Sequence, residues 1–168
     1  SSAASDVYKR QGPIYYINIS QDALKLGGSS FAQIRNGIGQ EAPKVQSAEY
    51  VKVVFNTIQK LIREEQIVAG HDIASGGLIT SLLELCFSDN ELGANVDLSP
   101  LGEKNLVKVL FSENPSLVIQ SKDRTVEAVF KNNGVEAVRI GNVLKNSRLK
   151  LKNNDSELEL NIETYRDF

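Results

Sequence analysis

The chain has 168 residues, 41% of them apolar, with 19 basic and 21 acidic side chains, a formal charge of −2 and one cysteine. A chain near this size buries roughly 68–70% of its unfolded surface, enough for a single core. The mild acidity leaves no basic footprint for nucleic acid, no apolar stretch approaches the ~20 residues of a membrane helix, and the lone Cys86 excludes an internal disulfide.

Ser1–Gln11 matches the direct translation of a transposon-type sequencing-library adapter, so it is expected to be a scar outside the fold. Setting it aside removes Asp6, Lys9 and Arg10 and takes the charge from −2 to −3. What remains begins abruptly at Gly12 and stops at Phe168, as expected of a fragment cut at both ends. No secretory signal precedes Gly12, and with one cysteine this predicts a reducing, cytoplasmic setting.

Pro13–Ile19, rich in tyrosine and isoleucine, predicts a strand. Ser29–Arg35 predicts a short helix after the Gly27-Gly28 turn, and Gly37, Gly39 and Pro43 mark a loop. In Ala48–Glu65 the residues Val51, Val54, Phe55, Ile58, Leu61 and Ile62 recur at helical spacing, with Ser47 as N-cap and Lys52, Gln59, Lys60 and Arg63 facing away. Ile67–Gly70 predicts a short buried strand. Gly77–Ser88 predicts a helix apolar on nearly every side, hence central. Ala94, Val96 and Leu98 alternate with polar residues as in a half-buried strand. Then follow a helix at Glu103–Phe111, a strand at Leu117–Ser121 and a helix at Asp123–Asn133, capped by Asp123 and ended by Gly134. Strands at Val135–Leu144 and Arg148–Lys152, a turn at Asn153–Asp155 and a strand at Glu157–Ile162 complete a single α/β domain. Another helix starts at Glu163. The charge runs Arg63–Glu65 and Lys145–Lys152 read as solvated faces.

The chemistry concentrates in His71-Asp72-Ile73-Ala74-Ser75-Gly76-Gly77-Leu78, which reads as strand, tight turn and buried helix. Free N–H groups at the helix start suit phosphate oxygens, and Gly76 and Gly77 allow close approach to the backbone. Asp72 would then carry Mg²⁺ to the same phosphates. A plain turn with Asp72 as helix cap fits the spacing equally, and both readings stay open. Gly27, Gly28, Ser29 and Ser30 present the same choice between an anion cradle and a simple helix start. His71 is the only histidine, which excludes a multi-histidine zinc site; it could act as an acid or base, but beside a turn it reads first as structural. Cys86, set among Leu82, Leu83, Leu85 and Phe87, reads as a small core hydrophobe.

Three segments carry a resemblance. His71–Leu78, with Leu82-Leu83-Glu84-Leu85 behind it, resembles the "HDxSDGGL…LLEMAF" segment of the phosphoribosylformylglycinamidine synthase family. Leu26-Gly27-Gly28-Ser29-Ser30-Phe31-Ala32-Gln33 resembles its "LGGSALAQ", and Leu110–Pro115 followed by Val118-Ile119-Gln120 resembles "LFxExPG…VIQ". The order and separations agree from about Ile14 to Phe168. The sequence departs from the pattern at Ala74, where serine is usual, at Ser75, where a second acid is usual, and at Ser116, where glycine is usual.

The resemblance implies a C-type domain of the aminoimidazole-ribonucleotide-synthetase superfamily, a mixed sheet packed with helices spanning residues 12–162, and the second such domain of the synthetase body. Residues 163–168 would begin a linker toward a glutaminase domain. It implies Mg²⁺ and ATP or ADP as cofactors, with Asp72 as metal ligand and Ala74, Ser75, Gly76 and Gly77 at the nucleotide. Gly27, Gly28, Ser29, Ser30 and Glu113 stand at phosphate or substrate positions, but Glu113 itself reads first as a solvated loop acid. The implied reaction is the ATP- and glutamine-dependent amidation of formylglycinamide ribonucleotide in purine biosynthesis. The implied partners are an N-type ATP domain and the glutaminase domain of the same polypeptide. No catalytic residue falls in this chain, so the fragment alone is expected to be inactive. The alternatives are another superfamily enzyme, of the aminoimidazole ribonucleotide synthetase or selenophosphate-synthetase-like kind, or a non-catalytic nucleotide-binding scaffold.

Overall fold

The computed structural model describes residues 12–39, 41–87 and 91–166. The expected scar Ser1–Gln11, the predicted helix end at Ser88 and residues 167–168 of the expected linker lie outside them. Along the described residues run β1 (Pro13–Asn18), α1 (Ser30–Ile34), α2 (Ala48–Arg63), β2 (Ile67–Ile73), α3 (Gly77–Phe87), β3 (Gly93–Asp97) and a 3-10 turn (Ser99–Leu101). Then come α4 (Leu106–Phe111), β4 (Ser116–Ser121), α5 (Val126–Asn132), β5 (Ala137–Leu144), β6 (Arg148–Asn153), β7 (Ser156–Asn161) and α6 (Ile162–Arg166).

Alternation along β1 divides its side chains between two cores. Ile14 and Tyr16 join Val118, Val96 and Ile140 on one face, under Leu78 and Leu82 of α3, Val109 and Leu110 of α4 and Ile162 of α6. Tyr15 and Ile17 join Ile119 on the other, under Val54, Ile58 and Leu61 of α2 and Phe130 of α5. β1 and β4 are therefore sandwiched between helices. On β3 and β6 only one face is covered: Val96 and Leu151 are buried, while Asn95, Asp97, Lys150 and Lys152 are exposed.

The seven strands form one sheet in the order β2-β4-β1-β5-β3-β6-β7. The mixed sheet was expected, but only β3 and β6 run parallel; the other neighbours are antiparallel. The rule that ligands gather at the carboxyl ends of parallel strands therefore has no purchase at β2. Register places the site instead. Asn18 ending β1 and Ile73 ending β2 both pair with Ser116, which begins β4. The loops after β1 and β2 and the loop before β4 thus share one end of the sheet.

Several predicted elements are corrected. β2 is not a short buried strand; it is an edge strand that continues to Ile73, so His71 and Asp72 are strand residues rather than turn residues. In α2 the Ser47 hydroxyl accepts from Tyr50 N at 3.1 Å, the predicted cap. The apolar stripe of that helix is wider than its cover, however, and leaves Phe55 62% and Ile62 48% exposed. α4 starts late because Asn105 Oδ1 accepts from Lys108 N at 3.2 Å, fixing the helix start after Glu103 and Lys104. Asp123 Oδ1 takes Thr125 N at 2.7 Å and Thr125 Oγ1 at 2.6 Å, making a turn ahead of α5 rather than its first residues. After α5, Gly134 adopts φ +71° and Val135 N reaches Phe130 O at 2.9 Å, which delays β5 to Ala137.

Two outcomes follow from this packing. Leu82→Ala, at a side chain only 1% exposed, is expected to cost ~2–5 kcal/mol through lost transfer energy and a cavity. Phe55→Ala should stay within ~0.5 kcal/mol, as surface changes do; urea denaturation of both variants checks the contrast. Cys86 is 5% exposed and burial pushes its thiol up to about 11, so at pH 8 it is protonated and shielded. A disulfide reagent should label it only after denaturation.

Candidate functional site

The three loops at the shared sheet end are held by the residues between α4 and β4. Glu113 is half-buried, and its Oε1 accepts from Ser30 N at 2.9 Å and from Gly76 N at 2.8 Å. One carboxylate oxygen thus joins the two glycine turns that the sequence marks as candidate anion cradles. Bonds from N–H groups to an ionised acceptor contribute about 1.5–3 kcal/mol each, more than neutral ones. Glu113 is therefore no freely solvated loop acid. Asn114, 1% exposed, continues the work. Its Nδ2 donates to Ser20 Oγ at 3.1 Å and Ala23 O at 3.0 Å, and its Oδ1 accepts from Lys25 N at 3.2 Å. Ser116, at the position where the resembled pattern has glycine, is buried with its hydroxyl 3.0 Å from that of Tyr16.

The amides of the first turn are satisfied within the protein. Gly27 N donates to Glu41 O at 2.9 Å, Gly28 N to Ile38 O at 2.7 Å and Ser29 N to Leu26 O at 3.1 Å. The Ser29 hydroxyl donates to Leu26 O at 2.6 Å and caps α1 by accepting from Ala32 N at 3.2 Å. Gly27 is a packing glycine, since a Cβ there would stand 2.1 Å from Glu41 O. Gly28, at φ +75°, instead faces open space. The second turn divides similarly. Ala74 and Ser75 are exposed and Gly76 half-buried. Gly77 sits at φ +75°, where a Cβ would stand 2.5 Å from Leu110 O, so close packing on α4 requires glycine here.

His71 and Asp72 stay together near the end of β2, His71 Nδ1 lying 3.6 Å from Asp72 Oδ1. His71 Nε2 lies 2.7 Å from Glu84 Oε2 and ties the edge strand to α3, the structural role expected of it. The Asp72 side chain is 78% exposed and borders a groove shared with Ile58 and Ile62 of α2. Among the described residues no group of three or more His, Cys, Asp or Glu could hold a metal by itself. Asp72 fits Mg²⁺ as the single carboxylate of an ion otherwise held by phosphate oxygens and water. The structure thus joins Gly27–Ser30, Gly76 and Glu113, and leaves Asp72 on the strand just before them. Sequence reasoning missed the anchoring work of Asn114 and the partner of His71. For the former the only local signal was an asparagine directly after Glu113.

Among the described residues no helix is long and apolar enough to cross a membrane. The model of the family described as AIR synthase related protein, C-terminal domain, matches residues 14–153, which hold every candidate site residue. The chain is 35% identical over 144 residues to the probable phosphoribosylformylglycinamidine synthase, chloroplastic/mitochondrial, of Arabidopsis thaliana, covering 84% of this chain and 10% of that protein. It is 32% identical over 121 residues to the phosphoribosylformylglycinamidine synthase of Homo sapiens, covering 72% of this chain and 9% of that one. The chain therefore spans about a tenth of the length of these relatives. PurL of T. maritima, solved in complex with ATP, shares the fold at a TM-score of 0.68 and 14% identity, covering 94% of this chain and 26% of that chain. The matched span and the mixed sheet with its two helical layers agree: this chain belongs to the AIR synthase related protein, C-terminal domain, family.

Proposed function

We propose that the chain is one domain of a phosphoribosylformylglycinamidine synthase, the second C-type domain of its synthetase body, and that it forms one wall of a Mg-nucleotide cleft. The observation that carries this reading is the identity of 32–35% to proteins of that name over most of the chain. Residues 12–162 would be the domain and 163–168 the start of a linker toward a glutaminase domain, with an N-type ATP domain as the other partner. A cytoplasmic setting is part of the proposal, supported by the single buried thiol.

In the reaction, ATP phosphorylates the glycinamide carbonyl oxygen of formylglycinamide ribonucleotide, releasing ADP, and ammonia from glutamine displaces the phosphate to give the amidine, the formyl group staying intact. Bound Mg²⁺ would supply charge neutralisation on the phosphates, the main demand of phosphoryl chemistry. This chain's part is positional. Asp72 would hold the ion and the exposed Ala74-Ser75 step would face the nucleotide, with Gly76 and the buried Gly77 shaping the turn behind it. Gly28 and the Ser30 end of the first turn would lie toward phosphate or substrate. No base or nucleophile of the reaction is assigned to this chain; His71 pairs with Glu84, and Cys86 is buried.

The test is Asp72→Asn in the full-length protein, read as melting temperature with and without Mg-ADP. Wild type should gain ~2.7 kcal/mol at a hundredfold excess of ligand over Kd, and Asp72→Asn should lose most of that gain. Because Asn keeps the size of Asp and its place in β2, equal shifts would leave Asp72 no part in holding the ion. The isolated 168-residue chain should hydrolyse no ATP; sustained turnover abolished by a point change within it would overturn the domain assignment.

A further inference from the structure

We propose that Glu113 is a positioning residue that clamps the Gly27–Ser30 turn to the Gly76–Gly77 turn and so sets the mouth of the cleft without itself meeting the ligand. The inference rests on the Mg-nucleotide reading above for its functional meaning, but its geometry stands apart from it. A single oxygen accepts from two amides, 83 residues away at Ser30 and 37 away at Gly76. Leu110, Phe111 and Asn114 reinforce the same bracket. Phe111 stacks on Phe31 with ring centroids 4.9 Å apart, gripping the helix that the first turn opens. Gly77 rests on the backbone of Leu110 and Phe111 so closely that a Cβ would overlap it. Asn114 fixes the segment from Ser20 to Lys25 that leads into the first turn.

The chemistry separates a clamp from a ligand contact. A glutamine at this position keeps a carbonyl oxygen able to accept both N–H groups and loses only the charge, whereas alanine removes the acceptor. A clamp is thus rescued in part by glutamine; a carboxylate that meets a cation or a substrate is not.

The experiment compares wild type, Glu113→Gln and Glu113→Ala in the full-length protein by amide hydrogen exchange at Ser30 and Gly76 and by calorimetric affinity for Mg-ADP. Glu113→Ala should speed exchange at both amides together and weaken Mg-ADP about tenfold, a part of what the two lost charge-assisted bonds contribute. Glu113→Gln, which keeps the acceptor and gives up the extra strength of its charge, should fall between wild type and Glu113→Ala in both. Acceleration at one amide alone or at neither, or a Gln variant as weak for Mg-ADP as Ala, overturns the clamp. If Glu113→Ala does not fold, Glu113→Asp, one methylene short of both amides, replaces it with the same readings. If wild type itself fails to bind Mg-ADP, the nucleotide reading falls and the paired exchange decides the clamp on its own.

Discussion

The antiparallel pairing of β1 with β4 is the constraint on which the rest depends. Both strands are apolar on both faces, so neither can be satisfied by a two-layer arrangement; helices must cover each side. That requirement recruits α3, α4 and α6 to one face and α2 and α5 to the other. It also sets Asn18 and Ser116 side by side, which gathers the connecting loops at one end of the sheet. The glycine turns meet there because the central register leaves them nowhere else to go.

Within that frame, the residues just before β4 act as a keystone. Leu110 and Phe111 close a helix against the second turn, Glu113 holds two amides, and Asn114 satisfies the loop after β1 from within a buried position. Buried polar groups persist only when hydrogen-bonded, and Asn114 meets that condition through backbone and hydroxyl partners drawn from residues 20–25. The same physical rule that penalises an orphaned amide makes this short segment hard to alter without loosening three loops.

The parts of this arrangement that rest on local pattern were legible in the sequence. The tyrosine- and isoleucine-rich run at Pro13–Ile19, the Ser47 cap and the all-round apolarity of the helix after Gly77 each need only neighbours within a turn or two. Phe55 and Ile62 misled because periodicity reports which face is apolar and not how far the opposing layer extends. Asp72 was legible as a carboxylate at a strand's end, but the strand was drawn only to Gly70; an edge strand tolerates polar residues, and pairing with β4 carries it on to Ile73. Glu113 was the least legible of all. Its meaning lies in amides 83 and 37 residues distant, and no spacing rule spans such separations.

The position of β2 at the sheet's margin has a consequence for how the protein behaves in concentrated solution. A marginal strand offers unpaired backbone groups to any other chain that can lie alongside it. Here the ladder is broken by a register shift between Ile67 and Ala69, Gly70 weakens its extension, and Asp72 holds a charge beside the pairing line. Irregular spacing and a fixed charge make this margin a poor template for a foreign strand. The chain therefore resists edge-to-edge aggregation at the strand that carries its candidate metal ligand.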